Sequence, residues 1–176
     1  MATDLQCRET SDVIAKFIAH LGKKLPDDIT NKLDSLRKEE ESDLAKLVYD
    51  SMFENQKLAE ELNRPSCQDT GVIQFFVKVG TAFPLINELD EVLVQAVLTA
   101  TKEAPLRHNS VQTFDEVNTG NNVGNRTPSV FTEIVSNNDQ LELDVYMAGG
   151  GCTLPGRAMV LMPGACLLYT SPSPRD

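Results

Sequence analysis

The chain has 176 residues, 41% of them hydrophobic and 24% charged, which suits one domain or a piece of one and excludes a wholly disordered or collagen-like polypeptide. Sixteen Lys plus Arg stand against 26 Asp plus Glu, a formal charge of −10, so the overall field repels nucleic-acid phosphates and anionic lipid. No run approaches the roughly 18 apolar residues of a membrane span, and residues 1–10 lack the apolar centre of a signal peptide, so the chain is read as cytoplasmic.

The first third has helical periodicity. Ser11 is placed as the cap of a segment whose Val13, Ile14, Phe17, Ile18 and Leu21 recur three to four apart, closed by Gly22 and Pro26. Pro26, Asp27 and Asp28 suit the first turn of a second helix striped by Ile29, Leu33 and Leu36. A third helix starts near Ser42, carries Leu44, Leu47, Val48 and Leu58, and ends at Asn63-Arg64-Pro65. The charged run from Lys38 to Glu41 reads as a solvated face.

After Pro65 the period becomes two. Ile73, Phe75, Val77 and Val79 share one face of a strand spanning Val72 to Val79. Asn87 is placed as the cap of a helix in which Leu89, Val92, Leu93, Ala96, Val97 and Ala100 follow a 3-4 rhythm up to Ala104-Pro105. From Arg107 to Pro128 the chain is polar and glycine-bearing, and a loop of that length is usually functional or disordered. Val130 to Val135 and Leu141 to Ala148 then read as a hairpin around Asn137-Asn138-Asp139. These elements predict an α+β (mixed α/β) fold, helices first and a sheet with packed helices after.

Cysteines at 7, 67, 152 and 166 have neither C-x-x-C pairing nor zinc-finger spacing, and a chain this long needs no disulfide framework. The stretch Cys166 to Asp176 follows no preceding periodicity. It reads as translated adaptor sequence joined to an interrupted reading frame, or else as a Ser/Pro-rich disordered tail. The expected organisation is the N-terminal part of a domain over residues 1–163 and a non-native or disordered tail over 164–176.

Three polar clusters lie at the ends of expected elements, where a rigid scaffold presents side chains to a ligand. In Cys67-Gln68-Asp69-Thr70-Gly71 a thiolate can bind a soft metal, Gln68 can donate to a carboxylate, and Asp69 can take part in proton transfer. The alternative is a capped turn, since Asp-Thr-Gly is common turn chemistry. In Arg107-His108-Asn109 the arginine fork matches a carboxylate at two points, or makes a surface salt bridge. His108 is an acid–base candidate or an ordinary hydrogen-bonding residue. Gly149-Gly150-Gly151 permits close backbone approach and an anion cradle, or simply ends a strand.

Taken together, NRPSCQDTG (Asn63 to Gly71) with GVIQFFVKVG, APLRHNSV (Ala104 to Val111), FDEVNTGNN (Phe114 to Asn122) and DVYMAGGGCTLPGRAMVLMP (Asp144 to Pro163) resemble the family formed by the N-terminal iron–sulfur domain of class I fumarate hydratases and the alpha subunits of L(+)-tartrate dehydratases. The resemblance covers most of residues 11–163, and GGGCTLPGR points to the tartrate branch, alpha subunit. It implies a hydro-lyase with a 4Fe-4S cluster on three cysteines, one iron left open to substrate. Cys67 corresponds to the first ligand; Cys152 is not at a ligand position, and Cys166 lies in the tail. It further implies that Gln68, Asp69, Arg107 and the backbone around Gly150 hold a dicarboxylate, L-tartrate, which is dehydrated to oxaloacetate. The base and further anchors would come from a beta subunit in an alpha2beta2 heterotetramer, so this chain alone is expected to be inactive. The other readings are a class I fumarase subunit, converting fumarate to malate, and a non-catalytic binding module.

Overall fold

The computed structural model describes residues 4–112 and 114–150. Four helices, α1 (Asp4–Leu21), α2 (Asp27–Glu39), α3 (Asp43–Glu61) and α4 (Leu89–Glu103), accompany three strands, β1 (Val72–Gly80), β2 (Ser129–Val135) and β3 (Leu141–Ala148). The architecture is the expected α+β class. The domain limit at residue 163 and the tail lie outside the described residues.

α1 begins before Ser11 rather than at it. Asp4 supplies a negative charge to the first turn and accepts from Arg8 at 2.7 Å one turn later. Ser11 is therefore not a cap. It lies mid-helix, 2% exposed, in a row with Ala15 and Ala19 that packs against α4, whose Ala96 and Ala100 are also buried. Small residues one turn apart let the two helices approach closely. A reading that scores only large apolar residues mistakes this seam for a polar boundary. Correspondingly, Ile14 and Ile18 enter the core, whereas Val13 and Phe17 are exposed.

α2 and α3 begin where the sequence indicates. Pro26 precedes α2, and Ser42 caps α3 by accepting from the Ala45 amide. The end of α3 is a double closure in which Arg64 N–H donates to Ala59 C=O and Asn63 N–H to Glu60 C=O, with Asn63 left-handed at φ 51°. Asn63 also accepts from Lys23 Nζ and donates to Glu103 C=O, so one residue ties the ends of α1, α3 and α4. Yet α2 buries no residue and α3 only Ala59. Their apolar stripes, including Ile29, Leu44, Leu47 and Val48, are exposed among the described residues.

β1 is the centre of the sheet. The order is β2-β1-β3, with β2 parallel to β1 and β3 antiparallel. Ile73, Phe75, Val77 and Val79 face α1 and α4 and are at most 2% exposed, and Leu141, Leu143, Val145 and Met147 of β3 extend that layer. The parallel pair is possible because α4 and the polar loop carry the chain back to the start of the sheet. α4 starts after Glu88 without a side-chain cap, so Asn87 is not the cap the sequence suggests; it is exposed in the preceding turn.

β2 and β3 are not a hairpin. The turn at 136–140 is where expected, but it steps over the end of β1, a span of about 10 Å for two inter-strand spacings. Gly80 makes this possible. A Cβ there would sit 2.0 Å from the Asn138 carbonyl oxygen, and the backbone around Gly80 donates to Gln140, Val135 and Asn138 carbonyls as the turn crosses. Alternation along β2 and β3 fixes their faces but not their neighbours, and β1, the most apolar strand, takes both.

Candidate functional site

The segment between α3 and β1, the segment after α4 and the end of β3 meet at the end of the sheet where β1 begins and β3 finishes. Asp69 is the junction. Its Oδ1 accepts from the Gly71 amide and from Asn109 Nδ2, each at 3.1 Å, and its Oδ2 accepts from the Gly150 amide at 2.7 Å. Three sequence-distant segments thus converge on one carboxylate. The Asp69–Gly71 contact is the turn anticipated as the plainer reading of Asp-Thr-Gly, and it coexists with the long-range contacts.

Gly71 is indispensable to this approach. Its φ is +78°, and a Cβ would lie 2.5 Å from the Ala148 carbonyl carbon and 2.7 Å from the Gly149 nitrogen, both backbone atoms. The loop before β1 and the end of β3 are therefore in direct backbone contact. Beside them, Thr70 Oγ1 accepts from the Arg107 amide at 3.0 Å, which fixes the start of the post-α4 segment against the CQDTG turn.

Of the residues singled out in the sequence, the structure brings Asp69, Gly150 and the backbone of Arg107 together. The Gly150 amide donates to the protein's own Asp69 carboxyl group. Cys67, Gln68, Arg107 and His108 are exposed, and no side-chain hydrogen bond or ion pair of theirs occurs among the described residues. Their chemistry faces outward, unspent on the fold. Cys152, Gly151 and Cys166 lie outside the described residues.

Two residues that sequence reasoning passed over complete the junction. Asn122 is 5% exposed, adopts φ 62°, accepts from the Asn109 amide at 2.7 Å and donates to Thr101 Oγ1 of α4 at 3.1 Å. The only signal was an Asn in an Asn/Gly-rich run, which marks a left-handed turn but not a buried bond.

For a metal cluster the described residues supply limited chemistry. Cys67 is an exposed thiol at the head of the turn, suited to act as one ligand, while Cys7 is half-buried and packs against the core. Among the described residues no group of three or more His, Cys, Asp or Glu is disposed to hold a metal ion. They fit one corner of a cluster and do not enclose it.

The family model for fumarate hydratase (Fumerase) matches residues 11–168. The chain belongs to the fumarate hydratase (Fumerase) family. Within that family it is 54% identical over 153 residues to the L(+)-tartrate dehydratase subunit alpha of Escherichia coli strain K12, covering 87% of this chain and 50% of that protein. The same figures hold for the subunit from Shigella sonnei. A putative L(+)-tartrate dehydratase subunit alpha of Methanocaldococcus jannaschii is 33% identical over 156 residues, 87% of this chain and 55% of that protein. The chain thus spans about half the length of the curated relatives it matches. The match runs through all three segments that meet at Asp69. No described helix is long and apolar enough to cross a membrane.

Proposed function

We propose that this chain is part of the alpha subunit of a cytoplasmic iron–sulfur hydro-lyase that converts L-tartrate to oxaloacetate and water. The observation that carries this reading is the Asp69 junction. It gathers three segments that lie within the family match at the end of the sheet where β1 begins and β3 finishes, while leaving the Cys67 thiol, the Gln68 amide and the Arg107 guanidinium free to meet a ligand. In this reading Cys67 is one ligand of a 4Fe-4S cluster, which when bound supplies a Lewis acid to help a hydroxyl depart. Arg107 binds a substrate carboxylate through its planar fork, and Gln68 donates to a carboxylate or hydroxyl. The Gly150 backbone, bonded to Asp69 through its amide, lies beside these groups, and Asp69 takes part in proton transfer as the C–O and C–H bonds break. A beta subunit supplies the remaining groups in an alpha2beta2 assembly.

The full-length subunit, combined with its partner and reconstituted with iron and sulfide without air, is expected to release oxaloacetate from L-tartrate. Turnover of fumarate or malate alone would overturn the tartrate assignment. Cys67→Ser is expected to abolish the broad visible absorption of the reconstituted protein; retention of that absorption would remove Cys67 from the ligand set. Arg107→Ala is expected to lower kcat/KM for L-tartrate by about 10- to 150-fold, the loss of a charge-assisted bond worth about 1.5–3 kcal/mol. An unchanged kcat/KM would exclude Arg107 from the site.

A further inference from the structure

Asp69 is held from one side by Gly71 and Gly150 and from the other by Asn109. The Asn109 amide group donates two bonds from one nitrogen, to Asp69 Oδ1 at 3.1 Å and to the Gly71 carbonyl at 3.0 Å. Its own backbone amide is in turn gripped by Asn122 Oδ1, and Asn122 is anchored on Thr101 in the buried face of α4. A continuous polar relay therefore runs from the helix layer, through a left-handed turn of the long loop, to the carboxylate at the centre of the junction. Thr101 and Asn122 are each 5% exposed. The Asn122–Thr101 bond is buried and those of Asn109 are part-buried; such bonds resist breaking, because each lost partner leaves a polar group short of solvent.

The geometry points to Asn109 as a positioning residue: by bonding Asp69 and the Gly71 carbonyl at once, it holds the CQDTG turn in register with the end of β3, and the Asn122–Thr101 pair holds Asn109. The residue touches no reacting atom in the reading above. Its effect on turnover rests on that reading; its effect on the loops does not.

Two properties separate this role from mere space-filling. Asn109→Asp keeps the shape but replaces the donor with an acceptor beside the Asp69 oxygen, whereas Asn109→Ala removes the group. If Asn109 only fills volume, Asp is the milder change. If it positions Asp69 by donating, Asp is at least as harmful as Ala. Asn122→Gly removes the anchoring amide while tolerating the left-handed backbone, so backbone strain is not the cause of its effect.

The test uses the full-length subunit with its partner. Hydrogen exchange followed by mass spectrometry is expected to show faster exchange in peptides containing residues 67–71 and 148–150 for all three variants, with β1 and α4 peptides unchanged. In the same preparations kcat for L-tartrate is expected to fall about 10- to 100-fold, the scale of a small misplacement of catalytic groups, with KM changed less than threefold. Unchanged loop exchange in Asn109→Ala, or an Asp variant closer to wild type than the Ala variant, would overturn the positioning role. Exchange that rises across the whole domain would do the same, since it signals a stability residue only. If the wild-type complex does not turn over L-tartrate, the functional reading fails by itself, and the exchange data still decide the relay.

Discussion

Gly71→Ala is expected to pull the CQDTG turn away from the end of β3 and to destabilise the domain by about 2–5 kcal/mol. Two costs combine. A residue with a Cβ held at φ +78° pays about 1–2 kcal/mol in left-handed strain. The new methyl also meets Ala148 and Gly149 backbone at 2.5–2.7 Å, and overpacking of that sort costs about 1–3 kcal/mol more. Backbone atoms already paired in the sheet cannot swing aside as a flexible side chain would. Relief requires the β3 end to move, and with it the Gly150 amide that bonds Asp69. Denaturant unfolding should show a lower midpoint at unchanged slope. Gly120 provides the control: its φ is +74°, but nothing lies within 4 Å of an added Cβ, so Gly120→Ala should show only the strain. Equal losses at the two glycines would refute the close backbone contact.

Phe75→Ala is the second large effect, expected at about 3–5 kcal/mol. Phe75 is 0% exposed on the central strand, opposite Val130 of β2 and Val145 of β3. Removing the ring leaves a cavity bounded by strands on both sides, which have little freedom to collapse into it. Against a total stability of about 5–15 kcal/mol for a domain, that loss takes a large share. The neighbouring Phe76 tests the assignment of faces. It is 44% exposed on the opposite face, where it stacks on Phe131 with ring centroids 5.0 Å apart. Losing that contact should cost about 0.5–1.5 kcal/mol. Comparable midpoints for Phe75→Ala and Phe76→Ala in urea would show that the strand register is wrong.

The contrast between these two phenylalanines was legible in the sequence, because period-two alternation assigns faces directly. So was the buried stripe of α4, since its apolar residues are large and regularly spaced. The seam between α1 and α4 was harder to see: it is built from Ser11 and small alanines, whose value lies in what they leave out. Strand neighbours were not legible at all. Nothing in β2 or β3 says that β1 lies between them; that depends on Gly80 yielding room for the 136–140 turn, a property of a contact 58 residues distant in sequence from Asn138. At the candidate site, motif residues could be named in advance, but their division of labour could not. Asp69 and the Gly150 amide spend their polarity on each other, while Cys67, Gln68 and Arg107 keep theirs available.

The order β2-β1-β3 also governs how this polypeptide is made. When Gly80 leaves the ribosome, β1 has neither neighbour; the parallel partner begins at Ser129 and the antiparallel one ends at Ala148. Throughout the intervening synthesis an apolar strand with two open edges is exposed to other nascent chains. α1 and α4 can shelter its core-facing side once Glu103 has emerged, but they offer no edge hydrogen bonds. Slow translation across the loop between α4 and β2 would lengthen that exposure, making yield in a cell more sensitive to chaperone supply than the finished fold would suggest.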